Sequence, residues 1–262
     1  MKTIVPHKEI NFLEEAVESF MTASHPAALT GAGISVNSGI ADFRSPGGVW
    51  TVFSPDEYAT LDVFLRTPQK AWKLYREMGI GLLGKKPNQA HRVLAEFEQH
   101  GLLKGVITQN VDNLHQAAGS ENVLEIHGDH QHLQCLQCAT LIPVTRDHYA
   151  TEKVPTCESC HSPLKPNVVL FGEAVRNLGL IEELIQSCDL LLVIGTSANV
   201  YPAAGLPLLV KERGGLIYEF NREPALFSQG YVRSTSIADY FFAGDLAATM
   251  PMFGQKVLQR TN

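Results

Sequence analysis

Four of the five cysteines fall in two Cys-x2-Cys pairs, Cys135/Cys138 and Cys157/Cys160, with eighteen residues between them. Each tight turn aims two thiolates at one point, so the two pairs can wrap a single tetrahedral zinc. Residues 134–165 are then best placed as a small metal-centred ribbon inserted in whatever surrounds it. A disulfide reading is weak, because nothing marks the chain as exported. A redox Cys-x2-Cys motif ordinarily comes singly beside a βαβ unit. Four thiolates close the coordination sphere and leave no position for water, so the metal is expected to fold its lobe and do no chemistry. His132, His148 and His161 lie nearby and are not needed as ligands. Cys188, in the apolar run 185–194, reads as a buried small hydrophobe.

Outside the ribbon the chain alternates. Phe12, Leu13, Ala16, Val17 and Phe20 repeat at helical spacing, and Pro26–Thr30 then reads as a buried strand. Asn88 can cap a helix bearing Ala90, Val93, Leu94 and Phe97, which leads to a strand over Gly105–Thr108. Further strand-like runs are Val123–Ile126, Val168–Phe171, Leu190–Ile194 and Leu216–Phe220, with helical patterns near Leu180–Gln186 and Ala203–Arg213 between the last three. Such alternation predicts βαβ units, hence an α/β fold with a doubly wound parallel sheet covered by helices on both faces. Residues 45–86 are a second interruption, helical around Trp72–Met78.

Composition narrows the function classes. With 262 residues, 45% hydrophobic and 18% charged, the chain can bury a core without staples and does not resemble a disordered one. A net charge of −6 argues against a nucleic-acid face. No run approaches the roughly 20 apolar residues of a membrane span. Residues 1–10 are too polar for a signal peptide, so a soluble enzyme of the cytoplasm is expected, with no nucleic-acid or membrane partner.

Chemistry-bearing residues cluster after the strands. Gly31-Ala32-Gly33 follows the Pro26–Thr30 strand and precedes Ile34-Ser35, a candidate dinucleotide phosphate turn at a helix N-terminus. Alone it reads equally as a tight turn, and no acidic residue ends a second strand about twenty residues on. Gly195-Thr196-Ser197 and Asn221-Arg222-Glu223 also follow buried strands, where open α/β sheets bind ligands, though either triplet by itself is an ordinary loop cap. Thr108 to His115, reading TQNVDNLH, is unusually dense in amides and acids, and His127 ends another strand before Gly128. Imidazole titrates near neutral pH and suits general-base work.

Together these stretches resemble the sirtuins, NAD-dependent protein-lysine deacylases. The matching segments are GAGISVNSGIADFRSPGGVW (31–50), TQNVDNLH (108–115), His127-Gly128, both cysteine pairs, VVLFGE (168–173), GTSANVYPAA (195–204) and NRE (221–223), in family order across nearly the whole chain. Ala41 departs from the proline common in the family. The resemblance implies a Rossmann-like NAD-binding domain of residues 1–45, 87–133 and 166–262. The cofactor loop and helical insertion 46–86 would form a small domain with the zinc ribbon 134–165. It further implies that Gly31, Ala32, Gly33, Ser35, Asp42, Phe43, Arg44 and Trp50 form the phosphate turn and cofactor loop. Gln109, Asn110, Val111 and Asp112 would hold the nicotinamide and ribose, with Asn110 and Asp112 sharing the catalytic work of His127. Gly195, Thr196, Ser197, Asn221, Arg222, Glu223 and, more loosely aligned, Leu246 would bind the adenosine half. An acyl-lysine peptide would lie as a strand between residues 169–173 and 199–201, touching Val169, Phe171, Gly172 and Val200, with Tyr75 in the acyl pocket. In the implied reaction the acyl oxygen attacks the ribose carbon as nicotinamide leaves. His127 then takes a ribose hydroxyl proton, and the acyl group ends on ADP-ribose.

Sirtuins that remove acidic acyl groups carry Tyr and Arg three residues apart in this insertion. Here Tyr75 is followed at that spacing by Met78, and Arg76 projects from another side of the helix. A neutral acyl group, acetyl or longer, is therefore expected, because a carboxylate without a guanidinium partner would be buried unpaired. Two rivals stand beside this reading. An NAD hydrolase or mono-ADP-ribosyltransferase would share the same apparatus. A non-enzymatic zinc-ribbon adaptor would have no use for Asn110, Asp112 and His127 together.

Overall fold

A computed structural model describes residues 1–6, 10–43, 47–227 and 235–261. Among them, a seven-stranded, all-parallel sheet carries β1 (Lys2–Ile4), β2 (Pro26–Thr30), β3 (Val106–Thr108), β4 (Val123–Glu125), and three strands from the second half of the chain. A smaller three-stranded antiparallel sheet holds β5 (Gly128–Cys135), β6 (Leu141–Pro143) and β7 (Leu164–Val168). The remaining parallel strands are β8 (Leu190–Ile194), β9 (Leu216–Asn221) and β10 (Tyr240–Ala243). The large sheet runs β1-β10-β9-β8-β2-β3-β4. From β2 the chain first winds outward through β3 and β4, then returns to add β8 on β2's other side. The boundary between β2 and β8 is thus the topological switch point, where α/β sheets open a ligand crevice.

Both faces of this sheet are covered, which is why its central strands read as continuous apolar runs. Along β8, Leu190, Leu192 and Ile194 join one core while Leu191 and Val193 join the other, the period-two alternation of a pleated strand. The first core packs α1 (Ile10–Thr22), whose Phe20 ring lies 5.1 Å from that of Phe97. Helices α2 (Pro55–Tyr58), α3 (Leu61–Arg66) and α4 (Pro68–Leu82) lie in the insertion, and α5 (Gln89–Gln99) bears Phe97. As expected, Asn88 caps α5, its side chain accepting the Ala90 N–H at 2.9 Å. Helix α6 (Leu114–Ala118) follows β3, and α7 (Arg146–Ala150) belongs to the small lobe. The second core packs α8 (Leu178–Ser187) and α9 (Leu206–Glu212). Helix α10 (Leu246–Leu258) closes the first core with Met250, Phe253 and Val257.

A third core joins the helical insertion to the small sheet. Trp72 of α4 is fully buried and donates its indole N–H to the Leu164 carbonyl at 2.8 Å. Tyr149 of α7 fits against Gly79, where any Cβ would come within 2.3 Å of the tyrosine ring.

Two expectations are corrected here. The apolar run Val168–Phe171 is not a strand of the alternating large sheet. Its strand is β7, which ends at Val168 and pairs antiparallel with β5. Val169–Phe171 then leaves the small sheet: the Val169 N–H goes to the His127 carbonyl, and Phe171 bridges Thr60. Apolarity that reads as a strand buried on two faces serves instead to line a cleft and cap the third core. The second correction concerns Gly31-Ala32-Gly33, which opens onto a 3-10 helix, Ala32–Ser38, rather than a regular α-helix.

Candidate active site

The carboxyl ends of β2, β3, β8, β9 and β10 and the segment after β4 all open onto one cleft of about 1090 Å³. Its floor is the meeting of two glycine turns. Gly31 N–H bonds the Ile194 carbonyl at 3.0 Å, and Gly33 N–H bonds the Gly195 carbonyl at 2.8 Å. A Cβ on Gly33 would stand 2.8 Å from Gly195 Cα, and Gly195, at φ +60°, would collide with the Ile34 nitrogen. Glycine on both sides brings two strand ends close and leaves backbone against which a pyrophosphate can lie.

His127 stands where the two sheets join. Gly128 follows it at φ +77°, and any Cβ there would strike the Asn167 carbonyl oxygen, so the chain turns from one sheet to the other through glycine. The His127 carbonyl accepts the Val169 N–H at 2.8 Å, and its Nδ1 lies 2.9 Å from the Gln109 carbonyl oxygen. A carbonyl only accepts, so Nδ1 carries the proton and Nε2 is left as the basic nitrogen. Burial lowers the imidazole pKa, and the hydrogen bond it donates to the Gln109 carbonyl opposes that shift. The ring is thus held neutral and ready to take a proton.

Asn110 is buried, and its amide nitrogen donates to the Gly31 carbonyl and to Ser35 Oγ, each at 3.2 Å. Ser35 Oγ in turn donates to Asp112 Oδ2 at 2.6 Å, while Asp112 Oδ1 accepts the Leu114 N–H. Burial raises the Asp112 pKa against these hydrogen bonds. Ser35 and Asp112 therefore sit behind the cleft wall, bracing the glycine turn against the segment after β3. Beneath them Thr30 Oγ1 meets Thr108 Oγ1 and the buried His115 ring.

The other residues expected from sequence border the cleft: Ala32, Asp42, Phe43, Trp50, Thr196, Ser197, Asn221, Arg222, Glu223 and Leu246 around the glycine floor, and Tyr75, Val111, Val169, Phe171, Gly172 and Val200 towards the insertion. Arg44 lies outside the described residues. Phe43 stacks on Trp50 with centroids 5.2 Å apart, and Asn221 donates to the Thr196 carbonyl at 2.8 Å. Gln109 donates to Thr196 Oγ1 at 3.0 Å. The expected peptide-binding edge is narrower than residues 169–173, because Phe171 spends both its N–H and its carbonyl on Ala59 and Leu61.

Sequence reasoning missed Asn37, which lines the cleft and donates to Asp245, the N-cap of α10. It also missed Ala59 and Leu74 at the insertion end. Leu74 could have been found, since it neighbours Tyr75 and Met78 on an amphipathic helix. Arg76 turns away from the cleft and donates to the carbonyls of Thr151, Glu152 and Lys153, whereas Met78 lines it.

In the small lobe the four paired cysteines gather, their sulfurs all within 4.8 Å of one another. The close pairs are 3.4–3.6 Å apart. Zinc–sulfur bonds of about 2.3 Å put tetrahedral sulfurs about 3.8 Å apart, so the donor set fits one zinc.

Comparison with known proteins decides the lineage. The family model described as the Sir2 family matches residues 31–202. The chain belongs to the Sir2 family. An NAD-dependent protein deacetylase of Caldivirga maquilingensis is 46% identical over 206 residues, 78% of this chain and 80% of the relative. An NAD-dependent protein deacylase of Pyrococcus furiosus is 39% identical over 94% of this chain and 98% of its own. A solved Sir2 homolog–NAD complex superposes with TM-score 0.85 at 34% identity, covering 98% of each chain. Among the described residues of this Sir2-family chain, no helix is long and apolar enough to cross a membrane.

Proposed function

We infer that this chain is an NAD-dependent protein-lysine deacylase that moves a neutral acyl group from lysine to ADP-ribose and releases nicotinamide. The observation that carries the reading is His127, its Nδ1 bound to the Gln109 carbonyl, lining the same cleft as the Gly31–Gly33 and Gly195 turns. NAD supplies a glycosidic bond whose cleavage drives the transfer. The glycine floor takes the pyrophosphate, and Ser197, Asn221 and Glu223 take the adenosine half. Asn110, fixed by Gly31 and Ser35, presents its amide oxygen to the ribose side of the cleft. Asp112 holds Ser35, and with it the turn. His127 Nε2 accepts the ribose hydroxyl proton, and its imidazolium is stabilised by the Gln109 carbonyl.

The peptide is the acyl donor and lies between residues 169–173 and 199–201; it is read through its backbone more than its sequence, with Phe171 offering it no backbone group, so side-chain selectivity is loose. Relatives bearing deacetylase and deacylase names support the acyl-lysine substrate, as does the superposition on a solved Sir2–p53 peptide–NAD+ complex, TM-score 0.79 at 33% identity. Among the described residues, no guanidinium or ammonium lines the insertion end of the cleft, which supports a neutral acyl group. One structural zinc, held by Cys135, Cys138, Cys157 and Cys160, stabilises the small lobe and takes no part in the chemistry. A cytoplasmic setting belongs to this proposal, since four thiolates are kept reduced there.

Nicotinamide release tests it. The account expects release from NAD to require an acetyl-lysine peptide and to match deacylated peptide one for one. Release without any peptide would move the function to NAD hydrolysis or ADP-ribosyl transfer.

A further inference from the structure

At the insertion end the cleft is walled by Ala59, Leu74, Val111, Val168, Leu170 and Met78, an apolar sleeve suited to an alkyl chain. Two polar groups interrupt it. Glu173 is already engaged: its Oε2 accepts the Leu170 N–H at 2.8 Å and lies 3.0 Å from the ammonium of Lys165, a fully buried lysine. The other is Tyr75, which is 1% exposed and whose hydroxyl meets no hydrogen-bond partner among the described residues. A buried hydroxyl without a partner loses its hydration for nothing, and phenylalanine would fill the same space without that cost. Burial and the Glu173 charge both raise the phenol's pKa, so the group stays neutral and able both to donate and to accept.

Tyr75 and Met78, three residues apart on α4, are neighbours on one face, and both line the cleft. Met78 is unbranched and adapts its rotamer, so it can make room for an acyl chain beside the phenol. A plain alkyl chain would leave the hydroxyl as it is, and a carboxylate would arrive beside Glu173, whose charge repels it, with the Lys165 ammonium already engaged by Glu173 and by the Pro166 and Val168 carbonyls. A neutral hydroxyl gives Tyr75 a partner without bringing a charge.

We propose that this acyl pocket selects neutral acyl groups carrying a hydroxyl beyond the carbonyl, and that the Tyr75 hydroxyl is the group that reads it. The proposal rests on the deacylase reading and specifies its substrate class. A site built around a polar group rejects the analogue that leaves it unpaired more strongly than it rejects a missing methylene.

The test compares kcat/KM for butyryl-lysine and 3-hydroxybutyryl-lysine peptides of one sequence, each enantiomer separately, with the wild type and Tyr75→Phe. The wild type is expected to prefer one hydroxybutyryl enantiomer by on the order of ten-fold. In Tyr75→Phe that ratio should fall to about one, whatever happens to the absolute rates. Thermal melts accompany the kinetics, and Tyr75→Phe is expected to melt at or above the wild type. Butyryl turnover with no hydroxyl preference, or a preference that survives in Tyr75→Phe, overturns the proposal and leaves the deacylase reading intact. A markedly lower melting temperature for Tyr75→Phe would also overturn it, because the hydroxyl would then have a partner within the fold. Failure of both peptides while an acetyl-lysine peptide is consumed also overturns the proposal, and failure of the acetyl-lysine peptide as well overturns the deacylase reading itself.

Discussion

His127 Nδ1 lies 2.9 Å from the carbonyl oxygen of Gln109, the residue immediately after β3, which is the strand next to the one that leads to His127. That contact selects the tautomer and turns a strand-end histidine into a base with a fixed free nitrogen. His127→Ala should reduce deacylation by about 100- to 10,000-fold while NAD still protects the protein from thermal unfolding. Because burial lowers this histidine's pKa, the unprotonated base persists below the ordinary imidazole value. The acid limb of kcat/KM should therefore fall below about pH 6.5, whereas a limb above that value would contradict the assignment.

Acid should also loosen the fold through histidines that do no chemistry. Burial holds His91 at about 4, His115 at about 3 and His130 at about 4, against 6.5 for the free side chain. A folded pKa below the unfolded one means that the unfolded chain binds more protons across that interval. This contribution to stability is complete above about pH 6.5 and is lost progressively as pH falls towards the folded values. Denaturant midpoints measured from about pH 7 down to about pH 4.5 should decline throughout. A flat series would show that these rings are solvated.

Gly33→Ala tests the glycine floor. The new Cβ would meet Gly195 Cα and its carbonyl at 2.8 Å, both backbone atoms with no side chain to move aside. Overpacking of this kind costs about 1–3 kcal/mol, and separating the two turns should weaken NAD binding by at least ten-fold. Calorimetric titration with NAD measures it. Unchanged affinity would mean that the turn is not the phosphate seat.

The metal prediction concerns folding. Native mass spectrometry should find one zinc per chain, and chelation or Cys160→Ser should lower the thermal midpoint through loss of the third core, which contains Cys135 and Cys157 beside Trp72 and Tyr149. Full catalytic rate in a chelated, still folded enzyme would be compatible with a structural metal. Loss of rate with no loss of stability would contradict it.

Much of this was legible because the same physics writes both sequence and site. Pro26–Thr30 and Leu190–Ile194 read as strands to the residue, since a parallel strand buried on both faces must be apolar throughout. The strand-end clusters followed, because everything placed there converges on one cleft. Less visible were features set by pairing over long separations. Edge strand β1 and its neighbour β10 are short, and Lys2 and Tyr240 do not advertise that they lie side by side. Lys165, fully buried and paired with Glu173, looks like any surface lysine until the fold brings them together. That Ser35 and Asp112, both implied as binding residues by resemblance, also bind each other is likewise invisible until the fold joins them. Val168–Phe171 carried a strand's composition and became a cleft wall, because composition reports burial and not what does the burying.

The most direct test is the identity of the products. Mass spectrometry of reactions containing NAD and acetyl-, succinyl- or myristoyl-lysine peptides would be run with the wild type and His127→Ala. The account predicts deacylated peptide and the matching O-acyl-ADP-ribose from the neutral substrates, little from the succinyl peptide, and neither product in the variant. Free ADP-ribose or ADP-ribosylated protein, with every peptide intact, would contradict it.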